Sequence, residues 1–160
     1  MANIINLSTA GIAVAYAVEE TAGTRPTSDF TRIHGMKSTP NLNPAPETIE
    51  ATTLDETEFK TYVEGLKDLG GALEFTANLT QNLITEWDAL MTAYETAVAS
   101  NKNVWFAIVI PGLEEAVYFT GKPSNLGAPE TSVNAILETT VYITATNEPT
   151  WNTKPTLTEA

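Results

Sequence analysis

Along this chain the spacing of apolar side chains switches from two to about 3.6 and back, and each switch marks an element. Between residues 11 and 19, Ile12, Val14, Tyr16 and Val18 alternate with small alanines, the pattern of a strand. Residues 20–29 hold Gly23, Pro26 and Ser28 and predict a loop. Residues 30–37 predict a second strand. Pro40, Pro44 and Pro46 then interrupt residues 39–47, and proline cannot serve a central ladder, so this stretch predicts a connector or a sheet corner. Residues 48–54 predict a strand with Thr48, Glu50 and Thr52 on one face. Residues 72–78 alternate most cleanly: Leu73, Phe75, Ala77 and Leu79 against Glu74, Thr76 and Asn78.

The stretch from 54 to 75 joins the last two strands. It encloses an acidic loop anchored by Phe59, Tyr62, Val63, Leu66 and Leu69. Loops this long inside a domain are mostly functional or disordered, and disordered segments lack aromatic and branched apolar residues. Five large apolar side chains on one loop predict burial, against its own domain or against a neighbouring copy. Gly70-Gly71 predicts a tight turn at its end.

The period then becomes helical. Leu83, Ile84, Trp87, Leu90, Met91, Tyr94 and Val98 fall on one stripe of a helix over residues 83–100. The Thr85–Asp88 spacing fits a capping box, and Asn101 with Lys102 suits the helix end. Residues 104–110 are an unbroken apolar run stopped by Pro111-Gly112, which predicts a buried strand, and residues 115–121 return as its hairpin partner. After a Gly/Pro loop over 121–131, residues 133–146 predict a long strand with Val141, Ile143 and Ala145 against Thr140, Tyr142 and Thr144. Residues 147–160 form a Pro/Thr tail holding Trp151, and residues 1–10 an arm holding Ile4, Ile5 and Leu7. About seven strands with one helix between them predict a single α+β domain over 1–160, mostly antiparallel.

Composition narrows the chemistry. A chain of 160 residues can bury a sizeable core. Twenty acidic against eight basic residues give a net charge of -12, a surface that repels phosphates rather than gripping them. There is no cysteine, which excludes disulfides, zinc thiolates and thiol nucleophiles. The single histidine, His34, cannot build a multi-histidine metal site. No stretch is long enough to span a bilayer. Residues 11–18 imitate the apolar part of a signal peptide, with Ala15-Tyr16-Ala17 as a cleavage-like site, but no basic region precedes them. The reading predicts a protein made in the cytoplasm and kept there until assembly.

Thr53-Leu54-Asp55, Phe59-Lys60-Thr61-Tyr62 and Gly65-Leu66-Lys67-Asp68-Leu69-Gly70 together resemble the major tail tube protein of long-tailed bacteriophages. Glu64 stands where many members carry proline. The layout from 11 to 146 is similar as well, with a Trp near the start of the helix. The resemblance implies a β-sandwich or partial barrel with one packed helix, a fold shared with tube proteins of contractile tails and type VI secretion. It implies a virion protein that forms hexameric rings stacked around a channel for DNA, built in the host cytoplasm. Its partners would be further copies of itself and the tape measure, tail terminator and distal tail proteins, with no membrane insertion. The long loop and terminal arms would make the contacts between subunits. The end of the chain at Ala160 predicts that no immunoglobulin-like domain follows the tube domain.

Candidate chemistry is weak beside this. His34 lacks a nucleophile and an orienting group in any motif, so it is expected to be structural. Asp55, Glu56, Glu58, Glu64 and Asp68 crowd one loop but lack EF-hand spacing and are interleaved with Lys60 and Lys67. Glu114-Glu115 adjoin a turn. No cofactor, metal or catalytic residue is expected. A carbohydrate-binding sandwich, a carboxylate hydrolase and a tube subunit of a phage-derived secretion or bacteriocin particle are the alternatives. The expected contact residues between subunits are Phe59, Tyr62, Val63, Leu66, Leu69, Ile4, Ile5, Leu7 and Trp151, with both arms mobile until they dock on neighbours. Three polar strand faces carry a glutamate and no Lys or Arg. They predict a channel lined by Glu50, Thr52, Glu74, Thr76, Asn78, Glu138, Thr140 and Thr144.

Overall fold

The structure, a computed structural model, describes residues 11–158. The elements in order are β1 (Ala13–Val18), β2 (Phe30–Ile33), β3 (Met36–Ser38), β4 (Pro46–Glu50), β5 (Tyr62–Lys67), β6 (Ala72–Asn78), α1 (Gln81–Ala99), β7 (Val104–Val109), β8 (Glu115–Pro123), β9 (Glu138–Ala145), β10 (Thr150–Thr153) and β11 (Leu157–Thr158). Among the described residues, nine strands form one sheet: eight in the order β11-β2-β1-β7-β8-β9-β6-β3, and β10, which pairs the first part of β8 on the edge that β9 holds further along. All pairs are antiparallel except the short pairing of β11 with β2. β4 and β5 stand apart as a two-stranded hairpin.

Strand periodicity places the core. Val14, Tyr16, Leu73, Phe75, Phe106, Ile108, Val117, Phe119, Val141 and Ile143 are buried on one side of the sheet with Leu83, Trp87 and Leu90 of α1. The alternate positions Ala15, Ala17, Ala107, Ala116 and Tyr118 form a smaller cluster with Phe30 on the other side. Gly121 of β8 sits where the sheet is tightest. A Cβ there would lie 2.6 Å from Ile143 Cγ2.

β2 and β3 lie near opposite ends of the sheet, yet only His34 and Gly35 separate them in sequence. The sheet must therefore curl until its ends nearly meet, which gives a half-barrel packed on one helix. Glu86 of α1 holds this corner. Its carboxylate accepts the His34 backbone N–H at 2.8 Å, pairs with His34 Nδ1 at 2.6 Å and accepts from Asn82 Nδ2 at 3.2 Å. The buried Glu86 thus satisfies a backbone donor at the crossing between sheet ends, as a buried charge must be satisfied. Burial, followed by the nearby Glu86 carboxylate, raises the Tyr16 hydroxyl above its usual pKa.

The strands at 11–19, 72–78, 104–110 and 115–121 and the helix lie where the sequence puts them, with small changes at their ends. The single strand expected at 30–37 is instead two, β2 and β3, parted at His34-Gly35 where Gly35 takes a φ of 85°. Four further expectations are corrected. The helix is capped by Thr80, whose hydroxyl accepts from Leu83 N at 3.1 Å, not by Thr85, which bonds back to Gln81 O inside the helix. The expected strand at 48–54 and the long loop after it are instead the β4–β5 hairpin, so this region is a protruding ribbon. The long strand begins at Glu138, not Val133: Asn134 takes a positive φ of 61°, which breaks the extended chain. The tail is no free arm. Its β10 pairs β8 and its β11 pairs β2. At the helix end, Lys102 N–H reaches Ala97 O and Asn101 N–H reaches Val98 O, with Asn101 at φ 54°, a complete Schellman motif.

Candidate assembly surfaces

The β4–β5 hairpin is largely exposed on both its strands. Thr48 pairs with Glu64, Ile49 with Val63 and Glu50 with Tyr62. The ladder shifts register near Gly65, where a Cβ would come within 3.1 Å of Glu47 O, so this close approach suits glycine. Beyond the strands, Ala51 N–H donates to Thr61 O, and Thr61 N–H donates to Thr52 Oγ1 at 2.9 Å. At the tip, one Glu56 oxygen accepts the backbone N–H groups of Thr57, Glu58 and Phe59. Those of Glu58 and Phe59 hold its carboxyl below the usual range. Asp55 is lowered likewise, first by the Thr53 hydroxyl. The ribbon is thus structured to its end by its own hydrogen bonds.

What it lacks is anything to cover its apolar side chains. Phe59 is 75% exposed and Leu66 86%, and Ile49, Leu54, Tyr62 and Val63 are all more than half exposed. Ile49 and Val63 share one face of the ribbon, while Tyr62 lies on the other beside Thr48, Glu50 and Glu64. Among the described residues, no other part of the chain covers these side chains. Leu69, by contrast, packs against the chain's own core. Ile4, Ile5 and Leu7 lie outside the described residues. Trp151 lies on β10 opposite Val117, about half exposed. A second apolar group was not foreseen as exposed: Val133, Ile136 and Leu137 stand out from the loop before β9. Its uncharged run of seven residues, 131–137, was the available signal.

Of the residues expected to line a channel, six come together. Glu74 faces Tyr142, Thr76 faces Thr140 and Asn78 faces Glu138 across the β6–β9 pair, so these and Thr144 share one partly exposed polar face, with Leu73, Phe75, Val141 and Ile143 behind it. Glu50 and Thr52 do not join them, because they belong to the hairpin. The face is also not free of basic groups. Lys37 of β3 pairs with Glu138, and Lys122 of β8 stands opposite Thr144. Strands inspected one at a time conceal such neighbours, since a face is completed by residues distant in sequence.

Two further polar groups, on Glu19 and Trp87, tie the fold together. Glu19 is buried; its oxygens accept from Trp105 Nε1 at 2.8 Å, Asn103 N at 2.8 Å and Gly23 N at 3.1 Å. Burial pushes its carboxyl up, but the bonds from Trp105, Asn103 and Gly23 together outweigh burial and leave it below its usual pKa. Trp87 Nε1 donates to Ser124 O at 2.8 Å. Among the described residues, no three His, Cys, Asp or Glu side chains converge as a metal site. No helix there is long and apolar enough to cross a membrane. An open cleft of about 810 Å³ lies between the hairpin root and residues 144–149.

No protein-family model matches the chain, and no curated protein matches it. Among solved structures it is similar to a chain of the anti-feeding prophage baseplate, a cryo-electron microscopy structure with six-fold symmetry applied. The TM-score is 0.56 at 10% identity, over 96% of this chain and 97% of that one. The likeness is one of fold and spans nearly the whole of both chains: this α+β half-barrel is an architecture that also occurs in a phage-derived baseplate.

Proposed function

We propose that this chain is a structural virion protein that assembles into six-membered rings, stacked as a tail tube through which DNA passes. The observation that carries the reading is the hairpin: a hydrogen-bonded ribbon, separate from the main sheet, whose apolar side chains have no cover within the chain. Such a ribbon is made to meet another surface. The fold likeness to a chain of a six-fold symmetrised baseplate supports a ring, and so do the tail tube motifs at 53–70. In this reading the role is architectural, without catalysis or cofactor. Tape measure, terminator and distal tail proteins are the partners at the ends of the tube. The polar face of β6 and β9 lines the channel, and its charges balance, Glu74 and Glu138 against Lys37 and Lys122, so that it offers DNA no net positive surface to grip.

A ring without stacking, as part of a baseplate, is the second reading, and the identity of the solved neighbour is what favours it. Size-exclusion chromatography with light scattering and negative-stain microscopy separate the possibilities. The tube reading expects particles of about six times the 17.2 kDa chain mass and stacked tubes at higher concentration. Rings that never stack would favour the baseplate form, and a strict monomer would remove both.

A further inference from the structure

Outside the hairpin, the large apolar side chains that stand exposed among the described residues fall into two groups. Val98, Tyr142 and Trp151 lie on three different elements, whereas Val133, Ile136 and Leu137 lie together in the loop before β9. That loop has a fixed shape. Asn134 turns it with a φ of 61°, and Leu137 O accepts from Leu79 N at 3.0 Å, which ties its end to the end of β6. Val133 and Ile136 are nonetheless 89% and 74% exposed. A loop shaped by its own bonds, with its apolar side chains outside, is pre-organised to receive a partner.

A ring of more than two copies is held by heterologous contacts, so the hairpin meets not itself but a different surface of the next copy. Position suits the loop to that part. The β6–β9 ladder runs from Ala72 opposite Thr144 to Asn78 opposite Glu138. The hairpin leads into β6 at the first end, and the loop leads into β9 at the second. Along the strands those ends are about 20 Å apart. A contact from one end of a copy to the other end of the next keeps a single direction from copy to copy, as head-to-tail closure requires. Charge suits it as well. Residues 46–71 carry seven acids and two bases, whereas residues 131–137 carry no charge, and Glu138 beside them is paired with Lys37. On a chain of net charge -12, such a neutral apolar surface is where so acidic a ribbon meets least repulsion.

We propose that the loop over residues 131–137 is the seat on which the hairpin of the adjacent copy docks, with Val133, Ile136 and Leu137 covering the hairpin's exposed apolar side chains. The inference rests on the ring reading and adds to it the receiving surface, which lies outside both the tail tube motifs at 53–70 and the terminal arms. Each contact then covers two apolar groups at once, and the closed ring leaves neither in water.

Val133→Ser with Ile136→Ser empties the seat and leaves the hairpin whole. Both positions are exposed, so the melting temperature should stay at the wild-type value; if the pair melts early, Ile136→Ser alone replaces it. Scaled by the two exposures, assembly should shift to roughly 10²–10³-fold higher concentration. The seat variant is then mixed with the variant Phe59→Ser, Tyr62→Thr, Leu66→Thr, whose seat is whole. Sedimentation should show one-to-one pairs of about twice the 17.2 kDa chain mass and nothing larger, because each pair has one good hairpin and one good seat. A seat variant that assembles at the wild-type concentration overturns the proposal. So does a mixture that stays monomeric or that builds full particles, and in each case wild-type rings leave the ring reading intact. A wild-type chain that stays monomeric overturns both.

Discussion

Replacing the hairpin's exposed apolar groups should abolish assembly and leave the domain unharmed. Phe59→Ser, Tyr62→Thr and Leu66→Thr remove the large side chains, and threonine keeps β propensity at the two strand positions. Full burial of one such side chain contributes about 1.5–3 kcal/mol. Phe59, Tyr62 and Leu66 are 75%, 56% and 86% exposed. Scaled by those fractions, the three together lose about 3–6 kcal/mol per interface. At about 1.4 kcal/mol per tenfold, assembly should shift to roughly 10²–10⁴-fold higher concentration. None of the three belongs to the buried core, so stability should change by less than about 0.5 kcal/mol, as for other surface positions. Sedimentation against concentration reads the first quantity and thermal melting the second. Assembly at the wild-type concentration would refute the reasoning, and a much lower melting temperature would show that the ribbon supports the fold instead.

Three further changes test the half-barrel. Glu86→Ala should cost about 1–3 kcal/mol, because it removes the acceptor of the His34 backbone N–H at the crossing, and Glu86→Gln less; equal urea midpoints for Glu86→Ala and wild type would contradict the closing role of that carboxylate. Gly121→Ala should cost at least about 1–3 kcal/mol by overpacking, since the added carbon meets Ile143 at 2.6 Å; an unchanged melt would mean that β8 and β9 can part. Glu19 has a folded pKa below its unfolded value of about 4.5, so its contribution is complete above that pH and is lost as pH falls through the folded pKa. Glu19→Gln should therefore flatten the fall of stability below about pH 4.5, and an acid limb as steep as in wild type would contradict this assignment.

The elements that were legible in the sequence are those with two unlike sides. β1, β6, β7 and β8 alternate or run apolar because the sheet buries them, and α1 shows its stripe for the same reason. β5 escaped because both its faces are solvated in the single chain: Tyr62, Glu64 and Leu66 alternate with Val63, Gly65 and Lys67, and neither set is apolar. The ribbon's run of large apolar side chains was readable, while its form was not. β10 was hidden likewise, with all four positions exposed. Glu86 drew no attention in the sequence because it is charged, although it lies between Leu83 and Leu90 on the buried side of α1. Its partner His34 lies 52 residues away. The polar face was half legible: alternation placed Glu74 with Thr76 and Glu138 with Thr140, but only pairing brings Lys37 and Lys122 beside them.

The central claim is that copies of this chain close into a six-fold ring with the hairpin seated on a neighbour. A cryo-electron microscopy reconstruction of the assembled protein tests it most directly. The account predicts six copies around an open channel, Phe59, Tyr62 and Leu66 buried between copies, and the β6–β9 polar face towards the channel. A hairpin projecting into solvent, or a particle without six-fold symmetry, would contradict it.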